Sequence, residues 1–112
     1  MAKRKSKPGV AASSGNVFAD LGVRDAAQKQ TKVRLAVAIN QILDGRKMSQ
    51  TAAARRLKVN QPKVSALSNY RLEGFSVERL MQFLTALDRD VNIVIRRRAG
   101  SHRRGRIAVT AA

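Results

Sequence analysis

Pro62 constrains this chain more than any other residue. Proline has no amide hydrogen to give a helical ladder, and its ring collides with the preceding turn, so a helix accepts it only in its first turn. It also biases the residue before it, Gln61, toward an extended, cap-like conformation. The stretch SQTAAARRLKVNQPKVSALSN, Ser49 to Asn69, therefore cannot be one helix. Ser49 suits the start of a first helix, because its hydroxyl can accept from an otherwise unpaired first-turn amide. Ala52, Ala53 and Ala54 favour that helix strongly, and it is predicted to run through Leu57. Another helix then starts near Gln61 and runs to about Asn69.

Only Lys58, Val59 and Asn60 join these two helices, too short a link for them to lie antiparallel, and this is the spacing of a helix-turn-helix. The unit is predicted to pack through Ala53, Ala54, Leu57, Val59, Val64 and Leu67. Small alanines let the helices approach closely, and Val59 plugs the turn from inside. Gln61, Lys63, Ser65, Ser68 and Asn69 are left facing outward. Their chemistry suits a DNA major groove: glutamine can grip adenine with two hydrogen bonds, lysine can donate to guanine, and serine can meet a base edge or a phosphate. An isolated polar helix face would mean little. Two caps, a short turn and surplus positive charge together mean more.

The flanks supply the rest of a small helical fold. Leu35, Ala38, Ile39 and Ile42 recur at helical spacing, giving a helix from about Asp25 to Asp44 that Gly45 stops. Val17, Phe18 and Leu21, ending at Gly22, form a short apolar patch ahead of it. After a link from Tyr70 to Phe75, Ser76 caps a further helix whose buried stripe is Val77, Leu80, Met81, Leu84 and Leu87. From Asp90 the period changes to two, with Val91, Ile93 and Ile95 on one side, which argues for a strand. A lone strand must find a partner. Pairing with the same strand of a second copy is the preferred expectation, with Arg106 to Thr110 as the weaker internal candidate. The fold class is thus mainly α: four to five helices, one C-terminal dimerisation strand, and basic flexible tails. Residues 1–16 form the N-terminal arm, 17–97 the domain and 98–112 the C-terminal tail.

Charge points to a polyanion. The chain has 112 residues, enough for one core, with 23 Lys and Arg against 7 Asp and Glu, a net charge of +16. Lys3, Arg4, Lys5 and Lys7 crowd one end, and Arg96, Arg97, Arg98, Arg103, Arg104 and Arg106 the other. Such tails bind phosphate without reading sequence, and by themselves do not separate DNA from RNA or anionic lipid. There is no cysteine, and the single histidine, His102, lies in a basic tail. No His or carboxylate cluster has metal-ligand spacing, and Gly100 and Gly105 merely flank arginines rather than forming a phosphate loop. Neither an enzyme, a metal nor a cofactor is expected. No apolar run has signal-peptide or membrane-spanning length, so the expected location is the cytoplasm.

SQTAAARRLKVNQPKVSAL resembles the helix-turn-helix of phage-repressor-like regulators of the Xre family, in which a Gln opens each of the two helices, as Gln50 and Gln61 do here. VFADLG, QPKVSAL, GFSVERLMQFLTAL and DVNIVI, spanning Val17 to Arg97, look like the subgroup containing antitoxins of HigA type. The resemblance implies that Gln50 holds a phosphate, that Gln61, Lys63 and Ser65 face bases, and that Asn69 meets the backbone. Asn60, Ser68 and Arg71 complete the candidate DNA-binding set. The sequence departs from the family at Lys58 and Asp88, where relatives commonly have glycine, which takes left-handed backbone angles freely. The expected function is a homodimeric transcriptional regulator on operator DNA, acting as antitoxin and autorepressor beside a toxin of HigB or RelE kind. The toxin would bind through Val17 to Leu21 and the first helix. A stand-alone repressor and a basic RNA- or ribosome-binding protein are the alternatives, the latter weakened by a scarcity of stacking aromatics.

Overall fold

Helix boundaries in this protein follow from side chains close by in sequence. A computed structural model describes the backbone of residues 14–98, 100 and 104–111, with side chains from residue 25 onward. Among the described residues there are four helices: α1 (Ser14–Gly45), α2 (Gln50–Leu57), α3 (Gln61–Ser68) and α4 (Val77–Ala86). Three begin on a capping side chain that accepts an orphan first-turn amide. Ala52 N donates to Ser49 Oγ at 3.1 Å, Lys63 N to Asn60 Oδ1 at 2.9 Å, and Arg79 N to Ser76 Oγ at 3.0 Å. Ser49 and Ser76 cap as expected. At α3 the cap is Asn60 rather than Gln61, because a short side chain can turn back onto its own helix while glutamine overreaches.

The first helix differs more from expectation. It runs unbroken from Ser14, so residues 14–16 belong to a helix rather than to the arm, and 17–22 are its early turns rather than a separate patch. Gly22 does not stop it, since a lone interior glycine costs a helix only about 1 kcal/mol. Residues 1–13 of the expected arm lie outside the described residues. Chain contacts divide the protein after Gln30 into two units. In the first, Asp25 and Lys29 form an exposed i,i+4 pair at 3.2 Å.

The second unit, from Thr31 onward, holds the core. Leu35, Ala36, Ile39 and Leu43 of α1 are buried together with Ala53, Ala54, Leu57, Val64 and Leu67 of the helix-turn-helix and Leu80, Phe83, Leu84 and Leu87 at α4. Ala38, Ile42, Val59, Val77 and Met81 pack against it half-buried. Leu72 and Phe75 are buried too, although their segment reads as a mere link. A turn with no helical period can still drop two large side chains inward. Phe75 meets Phe83 edge-on, with ring centroids 5.7 Å apart. Asn40 of α1 donates from Nδ2 to the Leu67 carbonyl at 3.1 Å, satisfying one of the acceptors left over at the end of α3.

All four helices end by the same device. The amide of a left-handed residue bonds back three residues and the next amide bonds back five, the arrangement in which glycine usually holds the left-handed position. Lys47 N donates to the Asp44 carbonyl and Met48 N to Leu43, Lys58 N to Arg55 and Val59 N to Ala54. Tyr70 N donates to Leu67 and Arg71 N to Ala66, and Asp88 N to Thr85 and Arg89 N to Leu84. The left-handed residues are therefore Lys47, Lys58, Tyr70 and Asp88, with φ of 54°, 59°, 58° and 65°. None is glycine, and each conformation costs on the order of 1 kcal/mol relative to glycine.

The expected strand is not seen in the single chain. No strand occurs among the described residues, and 91–98 has no regular structure. Val91 leans on the core, but Ile93 is 73% exposed and Ile95 93%. Arg106 to Thr110 forms no ladder with it either, although Val109 packs against the core. One copy of the chain offers residues 91–98 no second strand, and an extended segment without a ladder stays unassigned and exposed.

Candidate nucleic-acid interface

The turn between α2 and α3 is built by Lys58 and Val59. Lys58 takes left-handed angles, φ 59° and ψ 45°, that reverse the chain just after Leu57. Its cationic side chain lies beside the negative end of α2, offsetting part of the conformational cost. Val59 tucks half-buried beneath the turn, and Asn60 opens α3. Val64 and Leu67 face inward, while Gln61, Lys63, Ser68 and Asn69 lie on the exposed side with Ser65 half-exposed beside them. Gln50, Asn60 and Arg71 are exposed as well.

Exposure does not leave these side chains idle. Gln61 Nε2 donates to Thr51 Oγ1 at 3.0 Å, drawing the starts of α2 and α3 together beside Gln50. One end of the Gln61 amide is thus held by the protein and the other is left for a base edge. A two-bond grip on adenine would require Thr51 to let go. The Lys63 ammonium is turned toward the loop, 3.4 Å from the Gly74 carbonyl and 5.0 Å from the centre of the Phe75 ring. To reach a base it must leave a cation–π contact worth about 0.5–1 kcal/mol at an exposed site. Asn69 Nδ2 donates to the Ser65 carbonyl at 2.9 Å, and Asn60 Oδ1 is engaged as the cap of α3. Ser68 and Arg71 remain exposed without such tethers among the described residues.

Sequence reasoning missed Thr51, which lies one residue beyond the motif's opening Gln50 and is aimed by packing between helices. It also missed the arginines that close α4. Arg46 Nη2 donates to the Leu87 carbonyl at 2.8 Å and approaches Asp88 Oδ2 at 3.4 Å. Arg56 Nε donates to the Ala86 carbonyl, and its Nη2 to Asp88 Oδ2, both at 2.7 Å. Two guanidinium groups thus cover the carbonyls at the end of α4 and hold the left-handed Asp88. Beside them, Met48, Ala52, Arg55, Arg56, Lys58 and Ala86 line an open groove of about 580 Å³. Its lining offers cations and small apolar groups, with no nucleophile or base. No group of three or more His, Cys, Asp or Glu able to hold a metal occurs among the described residues. Nor is any described helix long and apolar enough to cross a membrane.

Comparison with known proteins agrees with this geometry. Residues 17–96 match the sequence profile of a family described as a helix-turn-helix domain. A solved structure named "Putative XRE Family Transcriptional Regulator" is 61% identical in sequence, with a TM-score of 0.75 over 79% of this chain and 99% of that one. No curated protein is significantly similar to the chain. A turn held by left-handed Lys58, an α3 opened by Asn60 and Pro62, and a match that runs through almost the whole domain lead to one assignment: the chain belongs to the XRE-type helix-turn-helix family.

Proposed function

We propose that this protein is a DNA-binding transcriptional regulator that sets α3 into the major groove and binds operator DNA as a homodimer. The observation that carries the reading is the outward face of α3, where Gln61, Lys63, Ser65 and Ser68 project away from a core closed by Val64 and Leu67. Kinship with a protein named as a transcriptional regulator supports it. Gln61, steadied by Thr51, and Ser65 are the base readers, and Lys63 joins them once it releases Phe75. Gln50, Asn60, Ser68, Asn69 and Arg71 lie along the phosphates. The net charge of +16 adds affinity that is blind to sequence and falls steeply with salt.

Selection of bound duplexes from a random pool identifies the operator. Gln61→Ala should then lose about 1–3 kcal/mol on that operator and far less on mixed-sequence DNA. Equal losses on both would refute base reading.

The homodimer rests on residues 91–98. Ile93, Val94 and Ile95 are exposed next to a Val91 anchored on the core, and their backbone can complete a ladder only with a second strand. Ile93→Pro removes a ladder donor and should halve the mass measured by light scattering. The regulator is expected to act in the cytoplasm. An antitoxin role rests on the motif resemblance alone, and co-purification with a HigB- or RelE-like toxin is its test. Sequence-selective duplex binding would set aside the RNA-binding alternative.

A further inference from the structure

Four left-handed residues close the four described helices, and three of them have a reason inside the protein. Lys47 and Lys58 bring positive charge to the negative ends of α1 and α2. Asp88 is gripped by Arg46 and Arg56. Tyr70 has no such reason. A bulky aromatic residue is the least suited of the four to left-handed angles. The residue is 44% exposed, and its phenol has no hydrogen-bond or ring partner among the described residues. Glycine there would keep both backbone bonds that end α3 and remove the strain. A strained, exposed residue at the tip of a recognition element is where an external contact is to be sought.

We infer that Tyr70 is a DNA-contacting residue whose hydroxyl donates to a phosphate oxygen of the duplex backbone beside the groove that α3 enters. This rests on the DNA-binding reading above. Position favours it: Tyr70 follows the last residues of α3 and lies between exposed Asn69 and Arg71. Left-handed angles turn the chain sharply at this point, so Tyr70 occupies the corner where α3 ends and the path to buried Leu72 begins. Tyrosine hydroxyls are common phosphate donors, and such a bond fixes the depth and register of a helix without reading bases.

The proposal predicts opposite changes in two measurements. Tyr70→Gly should raise the melting temperature by a few degrees while weakening duplex binding about tenfold, the usual scale for a hydrogen bond to a charged group. The loss should be equal on DNA from upstream of the protein's own reading frame and on a mixed-sequence duplex, because phosphates are common to both. Tyr70→Phe keeps the ring and the backbone angles, so it should melt like wild type and bind as weakly as the glycine variant. Wild-type affinity in either variant would overturn the proposal while leaving the DNA-binding reading intact, provided that wild type itself binds duplex. If wild type binds no duplex, both fall. A lower melting temperature for Tyr70→Gly would assign the residue an internal structural task instead. A reduced mass in light scattering would assign it to contact between copies, and either result overturns the phosphate contact.

Discussion

The ends of α3 and α4 use the same pair of backbone hydrogen bonds around the same left-handed turn, yet they are finished oppositely. At α4 the left-handed residue is a carboxylate, and Arg46 and Arg56 arrive from other parts of the fold to bind it and the carbonyls around it. At α3 the left-handed residue is a half-exposed tyrosine. Asn40 covers the Leu67 carbonyl at the end of α3, but no side chain grips the left-handed residue there as the arginines grip Asp88. The difference teaches that an unfavourable backbone angle is not by itself a sign of function. It becomes one when the compensation seen at its counterparts is missing.

Four substitutions would break or sharpen that contrast. The largest effect should come from Phe83→Ala, which removes the buried ring beneath Phe75 and so undermines both ends. It should cost about 3–5 kcal/mol in chemical denaturation, and a loss below 1 kcal/mol would show that the two ends do not share one core. Next, Asp88→Ala should cost about 1–2 kcal/mol, since it breaks two ion pairs and places alanine at left-handed angles. Because these pairs are partly exposed, the cost should shrink in about 1 M salt, and a salt-independent cost would assign it to the backbone alone. The smallest effect should come from glycine at each left-handed position. Lys58→Gly should gain about 0.5 kcal/mol, the relief of strain set against a freer unfolded chain and a lost charge. Asp88→Gly should gain nothing, because the arginines lose their carboxylate. Equal gains at both would mean that the ion pairs add no stability.

Where sequence reading succeeded and where it failed divides by distance along the chain. Ser49 and Ser76 act on amides three residues away, and Pro62 acts on its own turn, so they mark helix starts without any knowledge of packing. The stripes Leu35–Ile39 and Leu80–Leu84–Leu87 are likewise local periodicities. By contrast, burial of Leu72 and Phe75 follows no period, because a link bends to suit the helices it joins. The period-two pattern of 91–96 gives a real capacity for pairing, but a strand exists only against another strand. In the candidate site the outward set of α3 was legible. The tethers of Gln61 to Thr51 and of Lys63 to Gly74 and Phe75 were not, since each spans about ten residues and depends on how the elements pack.

Sequence alone determined where α2, α3 and α4 start, the helix-turn-helix and the basic character of this protein, because caps, proline and apolar spacing act within a turn or two of helix. Only the tertiary structure decided what the polar side chains do. Arg46 and Arg56 reach 41 and 30 residues along the chain to seal α4, Asn40 reaches 27 to the end of α3, and no side chain grips Tyr70 as the arginines grip Asp88. Long side chains find their partners through the packing of whole helices, and that packing is a property of the assembled core rather than of any short stretch of sequence.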